Sequence, residues 1–241
     1  MSSRYYCGDQ VLEPGTTIEL PADESRHLLK TMRARTGDSL VVFGSRGQFV
    51  ATLHAMAGSS AVVQLHESLP CPPSPAVAVT FLVPWIKGGK TEFVAQKLTE
   101  FGAHRIIVFH AVREVAKGDD AKIDRLRRVI IEACKQCERC DVPPVETAAN
   151  IGAAFALSGP APGILLHERQ GSRALSDWLK HEGSGLSSVT VASGPEGGWD
   201  ERDLATLPVA TAFVHLGQRI LRAETAPLAA AAAIQALTGD M

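Results

Sequence analysis

A segment near the C-terminus, His215–Ala226, brings together two arginines, one glutamate and one glycine. It follows a short β-prone run, Thr211–Val214, and precedes an alanine-rich run, Pro227–Leu237, whose composition favours a helix. Backbone N–H groups at a helix N-terminus, together with the partial positive charge of the helix, attract polar and negatively charged groups. The segment therefore predicts a loop that leads from a strand into a helix and holds a polar ligand.

A second loop of the same kind lies earlier in the chain, where Ser193–Trp199 reads SGPEGGW. An apolar run ends at Ala192 before it, and a helix is expected to begin after it at Asp200. Asp200 followed three residues later by Asp203 is typical of a capped helix start. Because loops that follow parallel strands meet at one edge of a sheet, the two loops predict one shared crevice.

Together, GPEGGW and LGQRILRAETA resemble the ribosomal RNA small-subunit methyltransferase E family of the SPOUT class. Further similar segments are Gln96–Gly102, which reads QKLTEFG, and Glu132, Gln136 and Arg139 ahead of two prolines. The resemblance implies S-adenosyl-L-methionine as the methyl donor and N3 of a uridine in 16S rRNA of the small ribosomal subunit as the methylated atom. It also implies a homodimer and a C-terminal helix tucked through a deep trefoil knot.

The resemblance assigns the methyl donor to the glycine-bearing loops. Such a donor requires an apolar slot for adenine, hydrogen bonds to its edge and ribose, and space around the sulfonium. Glycines let the backbone approach the ligand closely. The predicted donor contacts are Leu166, His167, Glu168, Gly194, Pro195, Glu196, Gly197, Leu216, Gly217, Ile220, Leu221, Arg222, Thr225 and Ala226.

Methylation at N3 requires loss of the N3 proton and a base that is unpaired or flipped out, because N3 lies on the Watson–Crick edge. We expect Arg222 to stabilise the negative charge that develops on the uracil. An arginine stays charged, and its planar guanidinium can donate paired hydrogen bonds. Glu196 or Glu224 is expected to orient groups or to accept the proton. A salt bridge of Glu224 with Arg222 or Arg219 is the structural alternative, and it is compatible with either role.

Cationic residues at several points of the chain are predicted to contact RNA. Lys87 and Lys90 stand in a glycine-bearing loop at the end of a strand, where phosphate contact is expected. For the others, a solvated surface charge is the alternative. Lys97 and Glu100, three residues apart on one helix, are expected to pair with each other. The predicted RNA contacts are Arg4, Arg33, Lys87, Lys90 and Arg139.

Two positions depart from the family pattern. Arg113–Val115 reads REV where relatives commonly have an Arg-Ser pair, so a serine role there is open. Ala223 stands where threonine is common.

Three other functions stay open. A SPOUT enzyme could methylate a ribose 2′-hydroxyl or another base, and a non-catalytic RNA-binding protein would keep the basic loops. A hydrolase is least supported, because neither loop carries a Ser or Cys nucleophile with a nearby His.

Composition points to an ordinary globular protein. The formal net charge is −2 and the pI about 6.4, so any RNA-binding surface must be a local patch. No apolar run approaches the roughly 20 residues that span a bilayer. The N-terminus also lacks the apolar core of a signal peptide. We expect a cytoplasmic protein without a membrane partner.

Five cysteines in a chain of this length argue against a disulfide framework. Cys134, Cys137 and Cys140 have a C-x-x-C-x-x-C spacing, which suggests a metal site. However, Cys134 and Cys137 fall on the same helical face as Ile123 and Ile130, so packing in the core is favoured. No metal is predicted.

The predicted secondary-structure pattern changes near residue 76. Residues 1–70 contain short β-prone runs between turns, which suit a small closed barrel, and the resemblance implies a PUA-like RNA-binding domain. Residues 69–75 carry four prolines and form the linker. Residues 76–241 alternate strands and helices, which predicts an α/β domain with a parallel sheet, and the resemblance makes this the SPOUT methyltransferase domain.

Overall fold

The computed structural model describes residues 3–8, 10–44, 47–116, 118–168, 173–183 and 185–239. The chain divides into two compact units, Met1–Pro73 with Cys134–Val142 and Ser74–Ala133 with Pro143–Met241. Sequence patterns do not predict that Cys134–Val142 belongs to the first unit. The functions expected of the two domains stay predictions.

The first unit contains a five-stranded sheet and a short helical region. Its elements are β1 (Arg4–Tyr6), β2 (Thr17–Glu19), α1 (Ala22–Arg26), a π-helical turn (His27–Thr31), β3 (Ser39–Gly44), β4 (Gly47–Ala57) and β5 (Ser60–Leu69). The strands pair in the order β1-β3-β4-β5-β2, with β1 parallel to β3 and the other pairs antiparallel. Between the described residues of β1 and β2 there is no ladder, so the closed barrel stays a prediction.

Alternating apolar residues form the core of this unit. In the β4–β5 pair, Leu53 lies opposite Val63, and both side chains are fully buried. They belong to one cluster with Tyr5, Leu28 and Val42. Alternation of this kind is typical of a sheet with one face on the core and the other in solvent.

Cys71 and Cys140 form a disulfide within the first unit, with their Cα atoms 5.9 Å apart. The expectation of no disulfide is therefore wrong. The two residues are 69 positions apart, and only the fold brings their sulfur atoms within bonding distance. Cys134 is buried as predicted, and burial raises the pKa of its thiol to about 12, whereas Cys137 is half-buried. Among the described residues no group of three His, Cys, Asp or Glu side chains is placed to hold a metal.

The later part of the chain alternates strands with helices. Its elements are β6 (Ala78–Pro84), α2 (Lys90–Glu100), β7 (Arg105–Phe109), α3 (Asp120–Cys137), β8 (Val145–Ala148), α4 (Ile151–Ser158), β9 (Gly163–Leu166), β10 (Arg173–Ala174), α5 (Leu175–Glu182), β11 (Ser188–Ala192), α6 (Glu201–Leu204), β12 (Ala212–His215) and α7 (Thr225–Thr238).

The strands β6 to β12 form a seven-stranded sheet in the order β10-β12-β9-β11-β6-β7-β8, and every pair is parallel. The predicted α/β architecture with a parallel sheet is confirmed. Sequence patterns missed β8 and β10, which are too short to show a period, and α4, which is apolar on nearly every side. None of the helices in the described ranges is long and apolar enough to cross a membrane.

Three neighbouring strands determine where the predicted loops lie. β9 pairs with β11 on one side and with β12 on the other. Because the three strands run in the same direction, the segments after Leu166, Ala192 and His215 leave the sheet at one edge. Both glycine-bearing loops and the segment after β9 therefore start side by side.

Candidate functional site

Three loops at the C-terminal edge of the parallel sheet enclose a cavity of about 420 Å³, to which α2 adds its first residue. Small-molecule sites typically measure roughly 300–1,000 Å³. The lining residues are Lys90, Leu166, His167, Glu168, Gly194, Pro195, Glu196, Gly198, Trp199, His215, Leu216, Gly217, Arg219, Ile220, Leu221, Arg222, Ala223, Glu224 and Ala226.

The GPEGGW loop is fixed by its turn and by its tryptophan. Gly198 has a φ of +71° and its N–H donates to the Pro195 carbonyl at 3.0 Å, which closes a tight turn. The Trp199 Nε1–H donates to the Leu166 carbonyl at 3.0 Å and so ties this loop to the end of β9. The predicted start of α6 is confirmed, because Asp200 and Asp203 form a reciprocal capping box.

The arginine-bearing loop runs from His215 to the start of α7. Gly217 has a φ of +109°, a left-handed conformation that strains other residues. The N–H groups of Thr225 and Ala226 donate to the Arg222 carbonyl at 2.9 and 3.0 Å, which closes the turn that leads into α7. The side chains of Arg222 and Ile220 are exposed at the cavity.

The structure gathers the predicted donor contacts around the cavity, except for two that do not line it. Gly197 does not line it and instead lies against Arg113 on the loop after β7, where a Cβ would stand only 2.8 Å from the Arg113 carbonyl. Thr225 is exposed on the first turn of α7 and does not line it either. The other predicted donor contacts line the cavity, and their roles toward a donor stay predictions.

The two carboxylates predicted for catalysis are both bound by the segment Lys87–Lys90, which ends at the first residue of α2. Glu196 Oε1 accepts a hydrogen bond from the Lys87 backbone N–H at 3.1 Å. Glu224 Oε1 lies 2.8 Å from Lys90 Nζ, and the hydrogen bond from Lys90 lowers the pKa of the Glu224 carboxyl below its usual range. The alternative of a salt bridge with Arg222 or Arg219 is not what the structure shows, because Glu224 forms its ion pair with Lys90.

Two of the predicted RNA contacts are held inside the first unit. The Arg4 guanidinium donates to Gln48 and to the Arg139 carbonyl, stacks over the Phe43 ring at 4.8 Å, and has a pKa lowered by burial. The Arg139 side chain is 10% exposed and binds the Asp141 carboxylate. These contacts indicate a structural role for both arginines, and their RNA contact stays a prediction.

The other predicted RNA contacts differ in exposure. Arg33 is exposed and has a φ of +54°, a left-handed backbone that is uncommon outside glycine. Lys87 is exposed, whereas Lys90 is half-buried in the cavity wall. The predicted pair of Lys97 and Glu100 is confirmed at 2.8 Å.

Glu114 at the divergent position has a local structural role. Its carboxylate lies 2.7 Å from His110 Nδ1 and accepts the Ala111 N–H at 3.3 Å. The adjacent Arg113 donates to Asp200 at 3.1 Å, next to the GPEGGW loop. Glu114 therefore stabilises the turn after β7.

Sequence reasoning missed several residues of the cavity wall. They belong to the same two loops, and their position within the two motifs could have identified them as cavity residues. These residues are Gly198, Trp199, His215, Arg219 and Ala223.

Comparison with known proteins shows similarity to RNA methyltransferases. A family model for the RNA methyltransferase domain matches residues 72–235. The ribosomal RNA small subunit methyltransferase E of Synechocystis sp. is 33% identical over 239 residues, which cover 95% of this chain and 75% of that protein. The protein of the same name from Rickettsia conorii is 30% identical over 240 residues, covering 98% and 96%.

A solved structure is also similar. The ribosomal RNA small subunit methyltransferase E from Neisseria gonorrhoeae, bound to S-adenosyl methionine, matches with a TM-score of 0.84 and 28% identity, and the match covers 98% of each chain. The chain described here belongs to the ribosomal RNA small subunit methyltransferase E family.

Proposed function

We propose that this protein, as a methyltransferase of that family, transfers the methyl group of S-adenosyl-L-methionine to N3 of a uridine in 16S rRNA of the small ribosomal subunit. The observation that carries the proposal is the single cavity formed where both family motifs meet the end of β9. In the transfer, the bond from carbon to sulfur breaks and the bond from carbon to N3 forms. The N3 proton passes to a general base of the protein, and the donor without its methyl group remains as a neutral thioether.

The residues of the cavity fit this donor. Leu166, Leu216 and Leu221 offer apolar surface for the adenine ring. Glu168 and Glu196 supply carboxylate oxygens for the ribose hydroxyls and the ammonium group. When bound, the donor supplies an activated methyl group next to a positive sulfur, and the protein supplies orientation and charge.

Arg222 is the best-placed group for the developing charge on the uracil. It lines the cavity, and its exposed side chain makes no hydrogen bond or ion pair with the described residues. A guanidinium in this position is available to the O2 or O4 edge of a flipped-out base. Glu196 and Glu224 orient neighbouring groups or take the N3 proton.

The proposal extends to the whole chain. The first unit acts as a PUA-like barrel that binds RNA, with exposed Arg33 as a phosphate contact. In the second unit, exposed Lys87 is proposed as a phosphate contact as well. The second unit is a SPOUT domain whose end is threaded as a deep trefoil knot, a proposal supported by the contacts of α7 with α2, α5 and β11. The protein works in the cytoplasm as a homodimer, as the family implies.

The decisive experiment uses small subunits from a strain that lacks the modification. Wild-type protein and labelled donor should methylate them, and mass spectrometry of the nucleosides should place the methyl on N3 of uridine. A methyl on the ribose would instead support the alternative, a SPOUT enzyme that acts on a 2′-hydroxyl. Arg222→Ala should abolish methylation while donor binding, measured by calorimetry, is kept. Normal turnover of that variant would remove Arg222 from the mechanism.

A further inference from the structure

Lys90 occupies a position that its predicted role as an RNA contact does not explain. It is the first residue of α2 and follows Gly88 and Gly89, which have φ values of +70° and +76°. Its ammonium lies 2.8 Å from Glu224 Oε1. The two side chains are 36% and 16% exposed, and both line the cavity. Lys90 therefore contributes to the wall of the site.

Glu224 stands where the arginine-bearing loop becomes α7. It is the residue before Thr225, the first residue of that helix, and its own side chain does not cap the helix. The helix dipole favours a carboxylate beside a helix N-terminus. The dipole alone does not fix the side-chain conformation, which requires a specific partner. Lys90 is that partner, and the ion pair joins α2 to the loop that carries Arg222.

We propose that Lys90 is a positioning residue for methyl transfer, which holds the Glu224 carboxylate in the cavity wall and thereby fixes the loop that presents Arg222. The inference rests on the proposed methyl transfer. It assigns Lys90 to the chemistry of the site in place of the RNA backbone, because an ammonium already engaged by a carboxylate inside the wall is a poor phosphate contact.

The electrostatics of the pair make a distinct prediction about pH. The hydrogen bond from Lys90 is the main cause of the lowered pKa of Glu224, and the charge of Arg222 adds to it. Without Lys90 this pKa rises, so protonation of Glu224 moves to higher pH and the acid limb of the rate profile moves with it. The other charged or titratable groups of the cavity are present in both proteins, and they are His167, Glu168, Glu196, His215 and Arg219.

The chain offers a closely matched control. Lys97 lies on the same helix, pairs with Glu100 at 2.8 Å, and is 33% exposed, but it does not line the cavity. Lys97→Met therefore removes an equivalent ion pair without touching the site. Lys90→Met removes the positioning contact, and Lys90→Arg keeps a positive donor there.

The experiment measures three quantities for each variant. They are kcat and KM on unmodified small subunits from about pH 4 to 9, donor affinity by calorimetry, and the salt dependence of RNA binding. We expect Lys90→Met to lower kcat by about ten- to a hundredfold, with a smaller change in KM and a shift of the acid limb to higher pH. Lys90→Arg should recover most of the activity, and Lys97→Met should match the wild type.

Two outcomes would overturn the inference. Lys90→Met could keep the wild-type pH profile while the salt slope of RNA binding falls by about one unit, which is the signature of a lost phosphate contact. Alternatively, it could match Lys97→Met in every quantity. If Lys90→Met does not fold, Lys90→Gln replaces it, and in a Glu224→Gln background this substitution should change neither kcat nor the acid limb, because the ion pair is already broken there. Failure of the wild type to methylate uridine N3 would refute the proposed function instead.

Discussion

The indole of Trp199 ties the GPEGGW loop to β9, and Trp199→Phe tests whether this tie shapes the cavity. Trp199 is 8% exposed, its Nε1–H donates to the Leu166 carbonyl at 3.0 Å, and its ring stacks on Phe109 with centroids 6.1 Å apart. Phenylalanine keeps an aromatic ring but removes the donor. Leaving a buried carbonyl without its donor costs about 1–3 kcal/mol in the free energy of unfolding.

Trp178 provides the matched control within the same unit. It is 2% exposed, and its Nε1–H is buried without a hydrogen-bond partner among the described residues. Trp178→Phe therefore removes the same atoms from the core but breaks no hydrogen bond. The difference in free energy of unfolding between the two variants isolates the hydrogen bond from Trp199 to the Leu166 carbonyl. We expect Trp199→Phe to be less stable than Trp178→Phe by about 1–2 kcal/mol.

Urea unfolding followed by far-ultraviolet circular dichroism measures this difference, and calorimetry with S-adenosylmethionine measures its effect on the site. Because Trp199 and Leu166 both line the cavity, Trp199→Phe should also weaken donor binding, by about five- to thirtyfold if the whole cost appears in affinity. Trp178→Phe should leave donor affinity unchanged. Equal losses of stability and affinity in the two variants would refute the reasoning.

Three further predictions concern cysteines and pH. Reducing Cys71–Cys140, or replacing Cys71 by Ser, should lower stability by about 2–4 kcal/mol in urea unfolding, since the bridge closes a long loop. Cys134, whose pKa is raised to about 12 by burial, should react with iodoacetamide more slowly than half-buried Cys137, as peptide mass spectrometry would show. Hydrogen bonds from Arg202 lower the pKa of Asp200 to about 2. Its stabilising effect should therefore be complete above about pH 4 and disappear as the pH falls through 2, a dependence that Asp200→Ala should remove from urea midpoints.

The loops of the site were predictable because their determinants are local in sequence. The cap formed by Asp200 and Asp203 and the entry into α7 are encoded within a few residues. Parallel strands then bring the loop ends to one edge of the sheet. The residues that line the cavity therefore come mainly from two contiguous motifs.

Contacts between distant residues could not be predicted in the same way. The Cys71–Cys140 bridge spans 69 positions, and neither cysteine lies in a pattern that names its partner. The RNA contact of Arg4, expected mainly from the family resemblance, stays a prediction, and its local pattern does not predict that the guanidinium binds Gln48 and the Arg139 carbonyl in the first unit. The charge of a side chain indicates which groups it can bind, and the tertiary structure determines which of those groups lie next to it.

The segment Lys87–Lys90 is the clearest case. Its two lysines favour phosphate binding, which stays a prediction, and the structure shows that the segment also holds both cavity carboxylates, Glu196 through a backbone N–H and Glu224 through an ammonium. These partners lie more than a hundred residues further along the chain. Gly88 and Gly89 bend the backbone so that one short turn reaches both loops. A shift of this turn would therefore move Glu196 and Glu224 together, which couples the two motifs more tightly than the sheet edge alone.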